Sequence, residues 1–455
     1  MKYDAIIIGT GQAGPPLAGK LAGNGYKTAI IEKDQYGGTC VNVGCTPTKA
    51  YVASARRAWV AKNSADLGIS IEGNVTVDLG KIKSRKDDLV KESRNGLKDF
   101  LENRDNLTVY NGDASFTGPK TVEVDGEKLE AEQIFINVGT KPRIPEGFEN
   151  VDYLTNASIL ELEEIPEHLI IVGGGYIGLE FGQMFKRFGS EVTIIDRNDM
   201  LLHNEDADIA NAITDIIQKE GITVRLGAEC ISSKKKKGEI VVDLDCEEDE
   251  NTVTGSHVLI AAGRIPATDA LGLAEAGIKT NDQGYINVTE HLETNIKNVF
   301  ALGDCNGEGA FTHTAYNDYQ IMSSYLFDNG NRTLSDRFTC YAAFMDPPVA
   351  RVGLNEKKVK EKGIKAKMAT RPMSRIARAK EMGETQGLLK IIIEAETDKI
   401  LGATFLGTGA DEYIHAIIDM MYADTPYTII RDAVHIHPTV SELIPTMLEE
   451  LQPLE

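Results

Sequence analysis

The sequence predicts an α/β protein: two copies of a strand–turn–helix–strand unit, followed by an α+β unit of different texture. Three observations carry this. The chain has 455 residues, enough for about three domains. Residues 3–32, YDAIIIGTGQAGPPLAGKLAGNGYKTAIIE, and residues 168–196, HLIIVGGGYIGLEFGQMFKRFGSEVTIID, repeat one pattern. From about residue 338 the texture changes to short strand-like runs followed by helical stretches.

Each repeat is an apolar strand, a glycine turn, an amphipathic helix and a second strand that ends in an acid. The turns read GxGxxG, as Gly9, Gly11, Gly14 and as Gly173, Gly175, Gly178. The first glycine allows the tight turn, the second lets backbone approach a pyrophosphate, and the third lets helix and strand pack closely. The helix N-terminus offers free N–H groups and the positive end of its dipole to phosphate. The acids, Glu32 and Asp196, each follow the first glycine of their unit by 23 residues and suit an adenosine ribose. One such motif is weak evidence; two, each between strand and helix and each with its acid, predict two Rossmann-like dinucleotide sites. Pro15 and Pro16 suit a first helical turn but cannot donate to phosphate, so Gly11 to Gly14 supply the backbone contacts. Two dinucleotides in one chain imply electron transfer between a nicotinamide and a flavin.

Between the repeats, GGTCVNVGCTPTK carries Cys40 and Cys45, with four residues between them. A zinc site wants a second ligand pair, which no other spacing supplies. A structural disulfide over so short a loop gains only about 2 kcal/mol. A redox pair and two inert thiols remain. A helical stretch then runs over roughly 50–104, with short β segments to about 144. After the second repeat, the basic run Lys234–Lys237 lies between two strand-like stretches and reads as a solvated hairpin tip. TNIKNVFALGDCNG, 294–307, is a strand ending in Gly303-Asp304. MDPPVARVGL, LLKIIIEAE and KILGATFLG predict a mixed sheet, with two helical stretches after it. Near the end, Pro438 predicts a helix start that leaves His437 just outside and Glu442 in the first turns. A carboxylate on Nδ1 would make His437 a base. With His435 it could instead join a metal site, but no third ligand is evident.

Composition narrows the function. A formal charge of −21 argues against nucleic acid, which needs a basic face. No apolar run reaches the roughly 18 residues of a membrane span. The start, with Asp4 and early glycines, does not read as a signal peptide. Six cysteines in this length are no disulfide scaffold, which points to a reducing cytoplasm. Cys230, Cys246, Cys305 and Cys340 show no paired spacing and read as packing residues, with Cys305 beside Asp304.

Taken in order, GTGQAG, GGTCVNVGCTPTK, GGGYIGLE, AAGRIP, NVFALGD and HIHPTVSE resemble the flavin- and pyridine-nucleotide-dependent disulfide oxidoreductases. That is the family of glutathione reductase, dihydrolipoyl dehydrogenase and mercuric reductase. GQAGPP, FMDPPVARVG and the absence of a cysteine tail look most like its mercuric-reductase-like branch, which includes flavoprotein reductases that bacteria deploy against reactive chlorine species. The resemblance implies an FAD-binding domain at 1–148 continued at 264–335, an NAD(P)-binding domain at 149–263, and a C-terminal dimerisation domain at 336–455. Gly9, Gly11, Gly14, Glu32, Gly139 and Asp304 would hold FAD. Gly173, Gly175, Tyr176, Gly178, Asp196, Arg197 and Gly263 would serve the nicotinamide cofactor, with Tyr176 gating its pocket.

The same resemblance makes Cys40–Cys45 a redox disulfide, Cys40 the interchange thiol and Cys45 the thiol facing the flavin. Lys49 would sit near the flavin N5, paired with Glu180, and His437 with Glu442 would act on the other subunit's interchange thiol. It implies a cytoplasmic homodimer with shared active sites and a small-molecule electron acceptor. Asp196 favours NADH, because a carboxylate there repels a 2′-phosphate, although the neighbouring Arg197 leaves NADPH possible. The chain starts at the flavin strand and ends LIPTMLEELQPLE, without the cysteine pair usual in mercuric reductases, which counts against efficient mercury detoxification. Dihydrolipoyl dehydrogenase is the enzymatic rival, and a flavoprotein redox sensor with little turnover is the alternative of another class.

Overall fold

A computed structural model describes residues 1–245 and 251–454; Cys246 lies outside them. The first glycine-turn unit builds a parallel sheet in the order 107–111, 28–32, 2–8, 127–136. The last of these strands is long enough to be shared. Its first half pairs with the antiparallel hairpin 114–118 and 121–124, and its second half pairs in parallel with Val299–Ala301. The strand that ends before Asp304 thus returns to the first sheet from beyond the second nucleotide unit. Strand Lys2–Ile8 is buried continuously from Ala5 to Ile8, which is why that half reads as an apolar run rather than an alternating one.

The second unit repeats the arrangement: strands 223–225, 191–195, 168–172, 257–260 and 153–154, all parallel. A three-stranded antiparallel sheet, 229–236, 239–245 and 252–255, rides beside it. Cys230 falls in the first of those strands. The basic run sits mostly in that strand and turns at Lys237-Gly238, with Lys234 Nζ 2.9 Å from Asp243.

The stretch read as one helical region is two helices, Cys45–Lys62 and Leu79–Glu102, with a 3-10 turn after the first. The Asp78 carboxylate caps the second, accepting from Lys81 N at 3.0 Å. The first packs on helix Tyr176–Phe188, where Tyr51 meets Phe188 edge to face at 6.0 Å. Phe181 and Phe185 lie in the same core, and burying each contributes about 1.5–3 kcal/mol.

The C-terminal sheet is antiparallel in every pairing, in the order 340–343, 349–353, 400–406, 388–394, 366–372, 452–453. The mixed sheet expected there is corrected: every strand runs against its neighbour, even 366–372 and 388–394, whose connection carries the short helix Ala377–Glu381. Helices Ala410–Tyr422 and Ile444–Leu448 share its apolar core. A buried ion network ties this unit to the others. Arg187 reaches Glu220 at 2.7 Å and Asp346 at 2.5 Å, and Arg56 reaches the same Asp346 at 2.7 Å. Among the described residues, no helix is long and apolar enough to cross a membrane.

Candidate active site

The two glycine turns close as their spacing demands. A Cβ at Gly14 would lie 2.4 Å from Gly9 O, and one at Gly178 would lie 2.0 Å from Gly173 O. Only glycine lets each helix start against its strand. Gly14 N donates to Gly11 O at 3.0 Å, so the first turn's remaining donors are the N–H groups of Gly11, Gln12 and Ala13. Helix Gly14–Gly23 begins there, with the prolines in its first turn.

Glu32 and Asp196 each brace their own turn. Glu32 Oε2 accepts from Thr10 N at 3.0 Å and Thr10 Oγ1 at 2.5 Å. Asp196 Oδ2 accepts from Gly174 N at 2.5 Å, while its Oδ1 accepts from Asn198 N and Nδ2, both at 2.7 Å. Arg197 is exposed beside it. A Cβ at Gly175, Gly139 or Gly263 would meet no atom within 4 Å, so these backbones border open space. Acids at the strand ends, unpartnered N–H groups at the first turn and bare backbone bordering open space fit two dinucleotides.

Gly139 and Gly263 introduce the crossover strands Thr140–Pro142 and Arg264–Pro266, which pair antiparallel. Asp304 is reached from here. Thr140 Oγ1 donates to Asp304 Oδ2 at 3.0 Å, and Arg264 Nε donates to Thr140 Oγ1 at 2.8 Å. Burial raises the Asp304 carboxyl above its ordinary value, against the pull of Thr140 and Arg264. Cys305 is fully buried, its thiol donating to Leu302 O at 3.3 Å.

Cys40 lies in the short helix Gly38–Asn42, and Cys45 is the first residue of helix Cys45–Lys62. Asn42 holds the loop by donating to the carbonyls of Tyr36 and Gly38, both at 2.9 Å; Asn156 Nδ2 donates to Val43 O at 2.8 Å. Both cysteines are free thiols. Hydrogen bonding from the neighbouring Cys40 thiol is the main cause that pushes Cys45 down to about 6, with Thr312 and Lys49 adding to it. Hydrogen bonding to Cys45 and burial raise Cys40. Thr312 Oγ1 lies 3.2 Å from Cys45 Sγ. The helix N-terminus favours a thiolate at the same position.

One turn along, Lys49 Nζ lies 2.7 Å from Glu180 Oε2 and 4.6 Å from the centre of the Phe344 ring. Glu180 Oε1 accepts from Phe344 N at 2.8 Å. Tyr176, at the start of its helix, packs on Phe311 at 5.6 Å, and burial raises its hydroxyl to about 12. The cysteines, Lys49, Glu180 and Tyr176 therefore share one wall.

His437 and Glu442 form a pair of their own, Nδ1 to Oε2 at 2.8 Å. The helix start expected at Pro438 is corrected: a 3-10 turn begins at Ser441 and the helix at Ile444. Within the described residues of one chain no contact joins this pair to Cys40 or Cys45. The His437 side chain is 74 % exposed, and Val434 and Ile436 beside it are 99 % and 79 % exposed. Thr10, Thr140, Arg264, Asn156, Thr312 and Phe311 escaped sequence reasoning. Only Arg264 carried a signal, as the charged residue of AAGRIP.

Residues 3–318 match the family described as pyridine nucleotide-disulphide oxidoreductase, and residues 339–448 match its dimerisation domain. The chain is 36 % identical over 451 residues to the probable pyridine nucleotide-disulfide oxidoreductase RclA of Escherichia coli (strain K12), covering 97 % of both chains. It is 33 % identical over 416 residues to a mercuric reductase of Staphylococcus aureus, covering 91 % of this chain and 76 % of that one. To a dihydrolipoyl dehydrogenase of Thermus scotoductus it is 32 % identical over 444 residues, covering 97 % and 95 %. The solved structure of the HOCl-induced flavoprotein disulfide reductase RclA from Escherichia coli matches with a TM-score of 0.89 at 34 % identity, over 98 % of this chain and 99 % of that one. With the family's signature running through both its parts, the chain belongs to the pyridine nucleotide-disulfide oxidoreductases, flavin-dependent enzymes that use FAD and take electrons from NAD(P)H.

Proposed function

We propose that the chain is a cytoplasmic, homodimeric NADH-dependent reductase that relays an electron pair through Cys40 and Cys45 to a small acceptor. The observation that carries this is the thiol pair at a helix N-terminus, with Cys45 pushed down to about 6 beside Lys49 and Glu180. Gly9, Gly11, Gly14, Glu32, Gly139 and Asp304 would hold FAD; Gly173, Gly175, Tyr176, Gly178, Asp196, Arg197 and Gly263 would hold the nicotinamide. When bound, FAD supplies two-electron exchange with NADH.

The chain's own residues divide the remaining work. Cys45 keeps its sulfur ionised, and Lys49, neutralised by Glu180, sets the local charge. Toward a disulfide acceptor, His437, held by Glu442, takes the proton of Cys40 of the partner subunit. Cys40 then bonds one acceptor sulfur as the acceptor S–S bond breaks, and the departing thiolate recovers that proton. Cys45 attacks Cys40, the intramolecular disulfide re-forms and the second thiolate leaves. The exposed His437, flanked by Val434 and Ile436, supports action across a dimer.

The acceptor is a disulfide, a metal ion or another small acceptor. Mercuric reductases are among the similar proteins, and RclA has been solved as a Cu(II) complex. The test is a yellow holoenzyme that NADH bleaches, followed by a panel of lipoamide, glutathione disulfide, Hg(II), Cu(II) and quinones. Re-oxidation by one of them supports turnover and names the acceptor class. Cys45→Ser is expected to bleach and to lose re-oxidation by that acceptor; full turnover in this variant would remove the thiols from the scheme.

A further inference from the structure

Phe311 is the hub of an aromatic stack that the glycine motifs do not explain. Its ring lies 5.6 Å from Tyr341 with 3° between planes, and 5.3 Å from His313 with 9° between planes. Tyr176 leans on the same ring at 5.6 Å and 43°. Phe311 is held by its backbone, since Phe311 N donates to Thr314 Oγ1 at 3.1 Å and Thr314 Oγ1 donates back to Phe311 O at 2.7 Å. The next residue is Thr312, whose hydroxyl touches Cys45. The stack therefore borders the thiol wall.

Tyr341 has an anchor. It lies in strand Cys340–Ala343, directly opposite Arg351 on strand Val349–Gly353. Both side chains converge on Glu205: the Tyr341 hydroxyl donates to Glu205 Oε1, and Arg351 Nη1 lies 3.2 Å from the same oxygen. The Glu205 side chain is wholly buried. Its loop belongs to the nicotinamide-binding unit, because Glu205 N donates to Leu202 O at 2.7 Å and Leu202 N donates to Gly174 O at 3.0 Å. A continuous set of contacts thus runs from the second glycine turn through Glu205, Tyr341 and Phe311 to Tyr176.

We propose that Tyr341 is a positioning residue for nicotinamide entry: anchored on Glu205, it holds Phe311 and through it keeps Tyr176 closed over the pocket. This rests on the reading of Tyr176 as the gate. If only the open form binds, apparent affinity is the intrinsic affinity reduced by the open fraction, so whatever stabilises the closed form weakens binding. Loosening the stack raises the open fraction. It also exposes the bound flavin to oxygen when no acceptor is present.

The test uses oxidised holoenzyme of the parent, Tyr341→Phe, Phe311→Leu and Tyr176→Ala. Calorimetry reads the Kd for NAD⁺, and a second assay reads aerobic NADH oxidation without acceptor. Removing one hydroxyl or one stacked ring is expected to tighten NAD⁺ binding about threefold, within the value of one aromatic pair, and to raise oxidase leak by a similar factor. Tyr176→Ala should do at least as much. If Tyr176→Ala changes both readouts while Tyr341→Phe and Phe311→Leu change neither, or weaken binding, the anchor is overturned and the gate stands. If Tyr176→Ala changes nothing, the gate reading fails and this inference with it.

Discussion

Lys49 Nζ lies 2.7 Å from Glu180 Oε2, and the opposite oxygen of the same carboxylate accepts Phe344 N at 2.8 Å. Glu180 is thereby the point where three units meet: the thiol helix, the helix after the second glycine turn and the C-terminal unit. Its side chain is 3 % exposed, whereas that of Lys49 is 32 % exposed.

That asymmetry sets the first prediction. Truncating Glu180 to Ala strands a buried N–H and a partly buried ammonium. Full breakage of a buried pair costs 3–5 kcal/mol, but solvent screens the Lys49 end, so the expected loss is about 2 kcal/mol. Urea unfolding of holoenzyme at fixed protein concentration reads it as a lower midpoint with an unchanged slope. An unchanged midpoint would mean that the pair contributes nothing net.

The thiol pair gives the second. The first proton leaves the reduced pair from Cys45 near pH 6, because the Cys40 thiol donates to its sulfur, and the second leaves far above the ordinary thiol range. The pH profile of Cys45 alkylation by iodoacetamide, followed by mass spectrometry, should have its midpoint near 6. In Cys40→Ala the hydrogen bond is gone, and the midpoint should climb toward the ordinary value of about 8.5. Equal midpoints in parent and variant would show that Cys40 is not the cause.

Both nucleotide turns were legible in sequence because a glycine turn is local: spacing alone dictates where the helix must start. The strand runs of the C-terminal unit were legible for the same reason, but their pairing was not, since pairing depends on partners tens of residues away. Thr312 was invisible because its place beside Cys45 comes from helix Thr312–Phe327 meeting the thiol helix across the fold. No short-range pattern encodes such a meeting. The pairing of His437 with Glu442 was readable from a five-residue spacing, even though the helix expected to present it begins later.

If the second turn holds the nicotinamide cofactor as proposed, its charge predicts the cofactor preference. The Asp196 carboxylate is fixed from both sides, by Gly174 N and by Asn198, so it cannot swing away from an incoming 2′-phosphate. Charge repulsion at that site should make kcat/KM for NADH exceed that for NADPH by at least about tenfold, which is about 1.4 kcal/mol. Asp196→Ser should erase most of the difference by raising activity with NADPH. A parent that prefers NADPH would assign the ribose site to Arg197 instead.

Glu205 gives stability a pH dependence of defined sign. Burial pushes its carboxyl up to about 7; Arg351 pulls the other way, and Asp206 and Lys390 add smaller opposing effects. Between its unfolded value of about 4.5 and about 7, the folded chain holds a proton there that the unfolded chain has lost. Its contribution is therefore fully present below about 4.5, falls as pH rises through 7 and is flat above. The shift corresponds to a decline on the order of 3 kcal/mol. Glu205→Gln carries no titrating proton but keeps an acceptor for Tyr341. Urea midpoints measured at pH 5 and pH 8 should fall further in the parent than in this variant, at equal protein concentration. Equal declines in the two proteins would mean that Glu205 stays ionised in the fold, and that Arg351 outweighs burial.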